Sequence, residues 1–143
     1  MAAGLIRGLL LVLQAAGLST AGCAKMSSQA TTLIEYRRSG GIAGREDQVV
    51  IFTDGTARLQ RRGVAADFRV APDTLDTLRA LLQRVDFRAM REEYLPARQG
   101  ADLYEYVLIY RDRRIRTMDT AVPPELQPVL QLLSGLANRT PPP

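Results

Sequence analysis

Apolar and polar residues alternate along TTLIEYR, and this period of two predicts a half-buried strand over Thr32 to Arg38. Directly after it come three glycines within five residues, in Gly40-Gly41-Ile42-Ala43-Gly44. Glycine loses more conformational freedom on folding than any other residue. A cluster of it at a strand end therefore signals either unusual dihedrals or another backbone pressed close. A near-continuous apolar run, VVIF, marks a second strand over Gln48 to Thr53. Asp54-Gly55 then accepts the positive φ angles of a two-residue hairpin turn, so Thr56 to Arg61 is expected to return as its partner. A further short strand around Ala66 to Val70 extends that hairpin.

The period then changes. Pro72-Asp73 opens a helix, with proline tolerated in the first turn and the aspartate complementing the positive end of the helix dipole. Leu75, Leu78, Leu82 and Val85 fall on one stripe, and Phe87, Met90 and Tyr94 prolong the apolar surface into a looser segment ended by Pro96. In Leu103 to Tyr110 the residues Tyr104, Tyr106, Leu108 and Tyr110 share one face, with Glu105, Val107 and Ile109 on the other. A turn at Arg111 to Arg113 leads to a strand over Arg114 to Met118. Pro123-Pro124-Glu125 starts a closing helix whose stripe is Leu126, Val129, Leu130, Leu133 and Leu136. Strands, helix, strands, helix, without a βαβ rhythm, predict an α+β domain: a small antiparallel sheet of about four to five strands with two main helices packed on one face. The tyrosines are expected to pack under a helix, which is the commoner use of that residue in strands than a nucleobase platform.

Composition narrows the chemistry. The 143 residues are one domain's worth, with enough apolar content, 46%, to bury a core. Eighteen arginines and the lone Lys25 give a net charge of +4, spread along the chain and not gathered into a block with exposed aromatics, so no nucleic-acid partner is expected. There is no histidine, and Cys23 is the only cysteine, which rules out Ser-His-Asp and Cys-His catalysis and a Cys/His zinc site. Carboxylates such as Glu92, Glu93 and Asp112 remain, and in turns and helix ends these are ordinarily solvated. A binding protein that is not an enzyme and uses no metal or cofactor is expected.

Residues 1–22 combine a positive start at Arg7, an apolar core from Leu9 to Leu13 and small residues beyond, the pattern of an export signal. The apolar run is shorter than the roughly 20 residues a membrane-spanning helix needs. The signal ends in Leu18-Ser-Thr-Ala-Gly-Cys23, which resembles the bacterial lipobox in Ala21 and Gly22 but departs from it at Thr20. Two readings stay open: lipidation of Cys23, giving an envelope protein anchored to the membrane, or an ordinary cut after Ala21 or Ala24 and a secreted protein. An unpaired thiol in an exported domain needs a special reason, and this favours lipidation. The expected organisation is signal 1–22, tether 23–30, one domain over 31–137 and a flexible tail over 138–143. The free protein is expected to be a monomer.

With these elements placed, Arg38-Ser39-Gly40-Gly41-Ile42-Ala43-Gly44 after a first strand, a late aromatic strand, and Ala121-Val122-Pro123-Pro124-Glu125-Leu126 opening a terminal helix resemble the emfourin-like family. Its members are small protein inhibitors of thermolysin-like metallopeptidases. The resemblance covers roughly residues 31 to 137, apart from the Asp54-Gly55 hairpin, and it implies a thermolysin-like metallopeptidase as protein partner. The peptidase-binding residues would be Arg38, Ser39, Gly40, Gly41, Ile42, Ala43 and Gly44: a loop poor in side chains can lay its backbone in a cleft, with Ile42 as an apolar anchor. Inhibition would then be steric occlusion. The competing reading is an envelope lipoprotein with a structural or adaptor role, binding an acidic partner through arginines such as Arg111, Arg113, Arg114 and Arg116.

Overall fold

The computed structural model describes residues 30–98, 100 and 102–139. The expected export signal, Cys23, the expected tether up to residue 29 and the expected tail from residue 140 lie outside the described residues. The strands are β1 (Thr32–Gly40), β2 (Arg45–Phe52), β3 (Thr56–Arg61), β4 (Val64–Arg69), β5 (Glu93–Tyr94), β6 (Tyr104–Tyr110) and β7 (Arg113–Met118). Helix α1 (Pro72–Arg84) lies between β4 and β5, and α2 (Gln127–Ala137) closes the described chain after two short 3-10 turns, Asp119–Ala121 and Pro124–Leu126.

The α+β class holds, while the sheet is larger than the sequence indicated. Seven strands run in the order β4-β3-β2-β1-β6-β7-β5. The sheet is also mixed: five neighbouring pairs are antiparallel, but β5 pairs parallel with β7 through Glu93↔Arg116 and Tyr94↔Thr117. The reason for the undercount is local. A strand of two residues has no period to read, and β5 exists because Arg116 N–H donates to the Glu92 carbonyl at 2.8 Å as the chain passes the sheet edge. The first two strands are also longer than expected, so that the glycine segment is the turn of a hairpin whose paired rows run to Gly40↔Arg45.

Register places Ile34, Tyr36, Val49, Ile51, Ala57, Leu59, Leu108 and Ile115 on one face of the sheet, where they share a buried cluster with Leu75, Leu78 and Leu82 of α1 and Val129, Leu130, Leu133 and Leu136 of α2. Side chains alternate across a strand, so each inward residue of β1 meets an inward residue of β2 and β6 in the same row. The tyrosines follow this rule. Tyr36 is fully buried and its hydroxyl bonds Ser134 of α2 at 2.8 Å, Tyr106 stacks on it with centroids 6.3 Å apart, and Tyr110 lies against Phe87 at 4.8 Å. Burial pushes the Tyr106 hydroxyl well above its ordinary pKa, and its 2.6 Å bond to the Asp119 carboxylate adds to that.

Candidate functional site

Three glycines at the β1–β2 turn carry positive φ: 99° at Gly40, 69° at Gly41 and 53° at Gly44. L-residues with a Cβ adopt such angles only under strain. Space is also denied at two of them. A Cβ on Gly40 would stand 2.6 Å from the Leu103 carbonyl oxygen, and one on Gly41 would stand 2.7 Å from the Tyr104 ring. Both explanations suggested by the glycine cluster therefore hold at Gly40, where backbone presses close; at Gly41 a side-chain ring takes the place of backbone, and the dihedral alone accounts for Gly44, where a Cβ would meet open space. Gly41 N–H donates to Leu103 O at 3.2 Å and Gly44 N–H to Gly41 O at 3.0 Å, which closes the turn.

Below the turn the hairpin is fixed by a buried ionic knot. Arg38, Asp47 and Arg61 face each other across β1, β2 and β3 and point toward the helices. The Asp47 carboxylate is fully shielded; Arg38 donates to one oxygen from Nη2 at 2.5 Å and Nε at 3.2 Å, and Arg61 Nε donates to the other at 2.6 Å. Arg45 Nη1 approaches to 3.8 Å. The same arginines reach the end of α2: Arg38 and Arg45 donate to Asn138 Oδ1 at 2.8 and 3.1 Å, and Arg61 donates to the Ala137 carbonyl. Cations at a helix C-terminus satisfy its orphan carbonyls and oppose its negative dipole end. Burial by itself raises the Asp47 pKa, but the hydrogen bonds from Arg38 and Arg61 outweigh it and hold the carboxyl below the ordinary range.

The seven residues of the expected contact thus divide. Arg38 is buried in the knot, with its guanidinium also 5.6 Å from the Tyr104 ring centroid, and Ser39 is exposed on the sheet face away from the helices. Gly40 and Gly41 are half-buried, whereas Ile42, Ala43 and Gly44 form an exposed tip. Ile42 is 87% exposed, the largest value among the exposed large hydrophobic residues described.

The sequence reading passed over the neighbouring tip. Arg62 and Gly63 join β3 to β4 with φ of 47° and 82°, a pair of positive angles that defines a two-residue hairpin turn. The signal available was the Arg-Gly pair between two strand-like segments. Arg62 Nη2 donates to the Ala43 carbonyl at 3.0 Å, so the two tips are joined.

The arginines of the β6–β7 hairpin are differently placed. Arg113 turns inward and donates to the carbonyls of Phe87 and Met90 at 3.3 and 2.8 Å, and Arg116 is bonded to Glu105 at 2.7 Å and Glu93 at 3.3 Å. Arg111 lies over the Tyr110 ring at 5.1 Å, and Arg114 is exposed. Glu92 stands 3.8 Å from Arg113, and Asp112 is exposed in the turn. Among the described residues no group of three or more His, Cys, Asp or Glu side chains is gathered as metal ligands would be, and no helix is long and apolar enough to cross a membrane. No family model and no curated protein sequence matches this chain at a significant level.

Proposed function

We propose that this domain is an extracytoplasmic protein inhibitor of a thermolysin-like metallopeptidase, acting by steric occlusion of the active-site cleft. The observation that carries the reading is the 87% exposure of Ile42 on a turn whose root is locked by the Asp47 knot. A turn whose root is held by hydrogen bonds and an ion pair has less backbone freedom left to lose in a complex. Small residues around it, Gly40, Gly41, Ala43 and Gly44, let the backbone approach a cleft wall while Ile42 fills an apolar subsite. Such occlusion needs no nucleophile. Arg38 contributes by holding the hairpin and Ser39 flanks it, with the contact centred on Ile42. The resemblance to the emfourin-like family in RSGGIAG supports the same reading.

Anchoring through a lipid on Cys23 belongs to this proposal. β1 has nine residues and runs roughly 30 Å from Thr32 to Gly40, so a tether entering at Thr32 leaves the hairpin tip at the far end of the sheet. A membrane-held inhibitor would then face its partner outward. The adaptor reading has less support, because Arg113 and Arg116 are already committed to partners within the domain.

The test is titration of the full-length protein into a thermolysin-like enzyme with a peptide substrate. Stoichiometric loss of cleavage is the expected result, and undiminished cleavage at a clear molar excess would overturn the proposal for that enzyme.

A further inference from the structure

Three large hydrophobic residues are exposed among those described: Ile42, Val64 and Leu95. Single exposed hydrophobes are normal on protein surfaces, so each alone says little. Two of them, however, stand at one pole of the sheet. Arg38, Asp47, Arg61 and Val64 form one row across β1, β2, β3 and β4, and the β1–β2 hairpin extends two residues past that row, to Gly40↔Arg45. The overhang is about 7 Å. Arg62 bridges this step by its hydrogen bond to the Ala43 carbonyl, which couples the tip bearing Ile42 to the turn that precedes Val64. Val64 is 68% exposed and, as the row partner of Arg61, projects on the helix side.

The charges at this pole are unequal. Arg38, Arg45, Arg61 and Arg62 are set against Asp47 and Glu46, and Arg62 donates to a neutral carbonyl, that of Ala43. Asp47 is fully shielded and spent inside the knot. The exposed rim around the two apolar side chains is therefore positive, and it is held in place by backbone and ionic contacts on both hairpins.

We propose that the inhibitory contact is made by both tips together: Ile42 and Val64 are two apolar anchors about a cationic rim of Arg45 and Arg62, fitted to a cleft with apolar subsites and acidic walls. This rests on the inhibitor reading above and goes further by naming the second hairpin and the partner's chemistry. The partner this surface fits is a peptidase whose cleft rim carries carboxylates away from the metal, since carboxylates at the metal itself are offset by its charge. Rim arginines meeting such walls act mainly on specificity and on the rate of encounter.

The experiment compares inhibition by full-length wild type, Val64→Asp, Arg62→Gln and Ile42→Asp against a thermolysin-like enzyme, at low and high salt. Val64→Asp should weaken inhibition about tenfold with an unchanged thermal midpoint, because the position is exposed and the aspartate meets a desolvated, acidic wall. Arg62→Gln should weaken it about threefold at low salt and flatten its salt dependence. Should Val64→Asp fold poorly, Val64→Ser carries the same test with a smaller loss. Full inhibition by the Val64 variants, with inhibition lost in Ile42→Asp, would overturn the two-tip contact and leave the single-hairpin inhibitor standing. If wild type itself fails to inhibit, the inhibitor reading falls and takes this one with it.

Discussion

The two hairpins that share β2 both turn on glycine at positive φ, three in one and a single one in the other, and they differ in what surrounds them. At the β2–β3 turn, Asp54 Oδ1 accepts from Thr56 N–H at 2.9 Å and from the Thr56 hydroxyl at 2.7 Å. Gly55 has φ 85°, is buried, and accepts Val70 N–H at 2.9 Å, while Arg79 of α1 reaches the Thr53 carbonyl at 2.7 Å. This turn is covered by the start of α1 and serves the fold. The β1–β2 turn uses positive φ more heavily, at Gly40, Gly41 and Gly44, but its supports lie beneath it and none lies over Ile42. A glycine signal therefore reports backbone geometry, and only the surroundings distinguish a turn that folds the domain from one free to meet a partner.

The comparison can be broken first at the knot, which has no counterpart under Asp54. Asp47→Asn leaves Arg38 buried without its counter-ion, and the expected loss is about 3–5 kcal/mol in chemical denaturation. A loss below about 1 kcal/mol would mean that the hairpin root does not depend on the ion pair. The sign with pH follows from the depressed carboxyl. Its contribution is present above the unfolded-state value near pH 4 and is lost as pH falls through the lower folded-state value. Wild type should accordingly lose stability on acidification below about pH 4, with a steeper slope than Asp47→Asn.

The next largest effect is expected at Gly40. Alanine there combines φ 99° with a Cβ 2.6 Å from a carbonyl oxygen, and about 3 kcal/mol should be lost, read as a lower thermal midpoint. Gly55→Ala should cost less, about 1–2 kcal/mol, since the nearest atom is the movable Leu75 Cδ2 at 3.2 Å. Equal losses at the two sites would remove the distinction between a turn pressed on backbone and one pressed on a side chain. The smallest stability effect belongs to Ile42→Asp, within about 0.5 kcal/mol of wild type because the side chain is almost wholly exposed. That variant should nevertheless lose most of its inhibition. A folded Ile42→Asp that inhibits normally would show that this tip is not the contact.

Much of the fold was legible in the sequence because it is written in short-range periods. The stripe Leu75, Leu78, Leu82 became the buried side of α1, Pro72 sits in its first turn, and Leu108 faces the core as the alternation of β6 required. Asp54-Gly55 marked a hairpin, but the expected two-residue turn is a three-residue connection, Thr53 to Gly55, in which only Gly55 has positive φ and the Asp54 side chain accepts from Thr56. By contrast, β5 has two residues and no pattern, and Asp47 lies in Arg-Glu-Asp-Gln, which reads as ordinary solvated polarity. Its burial depends on Arg38, nine residues before it, on Arg61, fourteen after it, and on the end of a helix ninety residues on.

From the sequence alone came the order of the main elements, the two helical stripes and a glycine cluster at Gly40 to Gly44 that marks a turn, since each is a property of neighbours along the chain. The tertiary structure decided which polar residues go inside, that Arg38 turns from the tip to the knot, and that the Ile42 hairpin has the Val64 hairpin beside it. Burial, ion pairing and the meeting of two turns depend on residues distant in sequence and close in space. No local period records them.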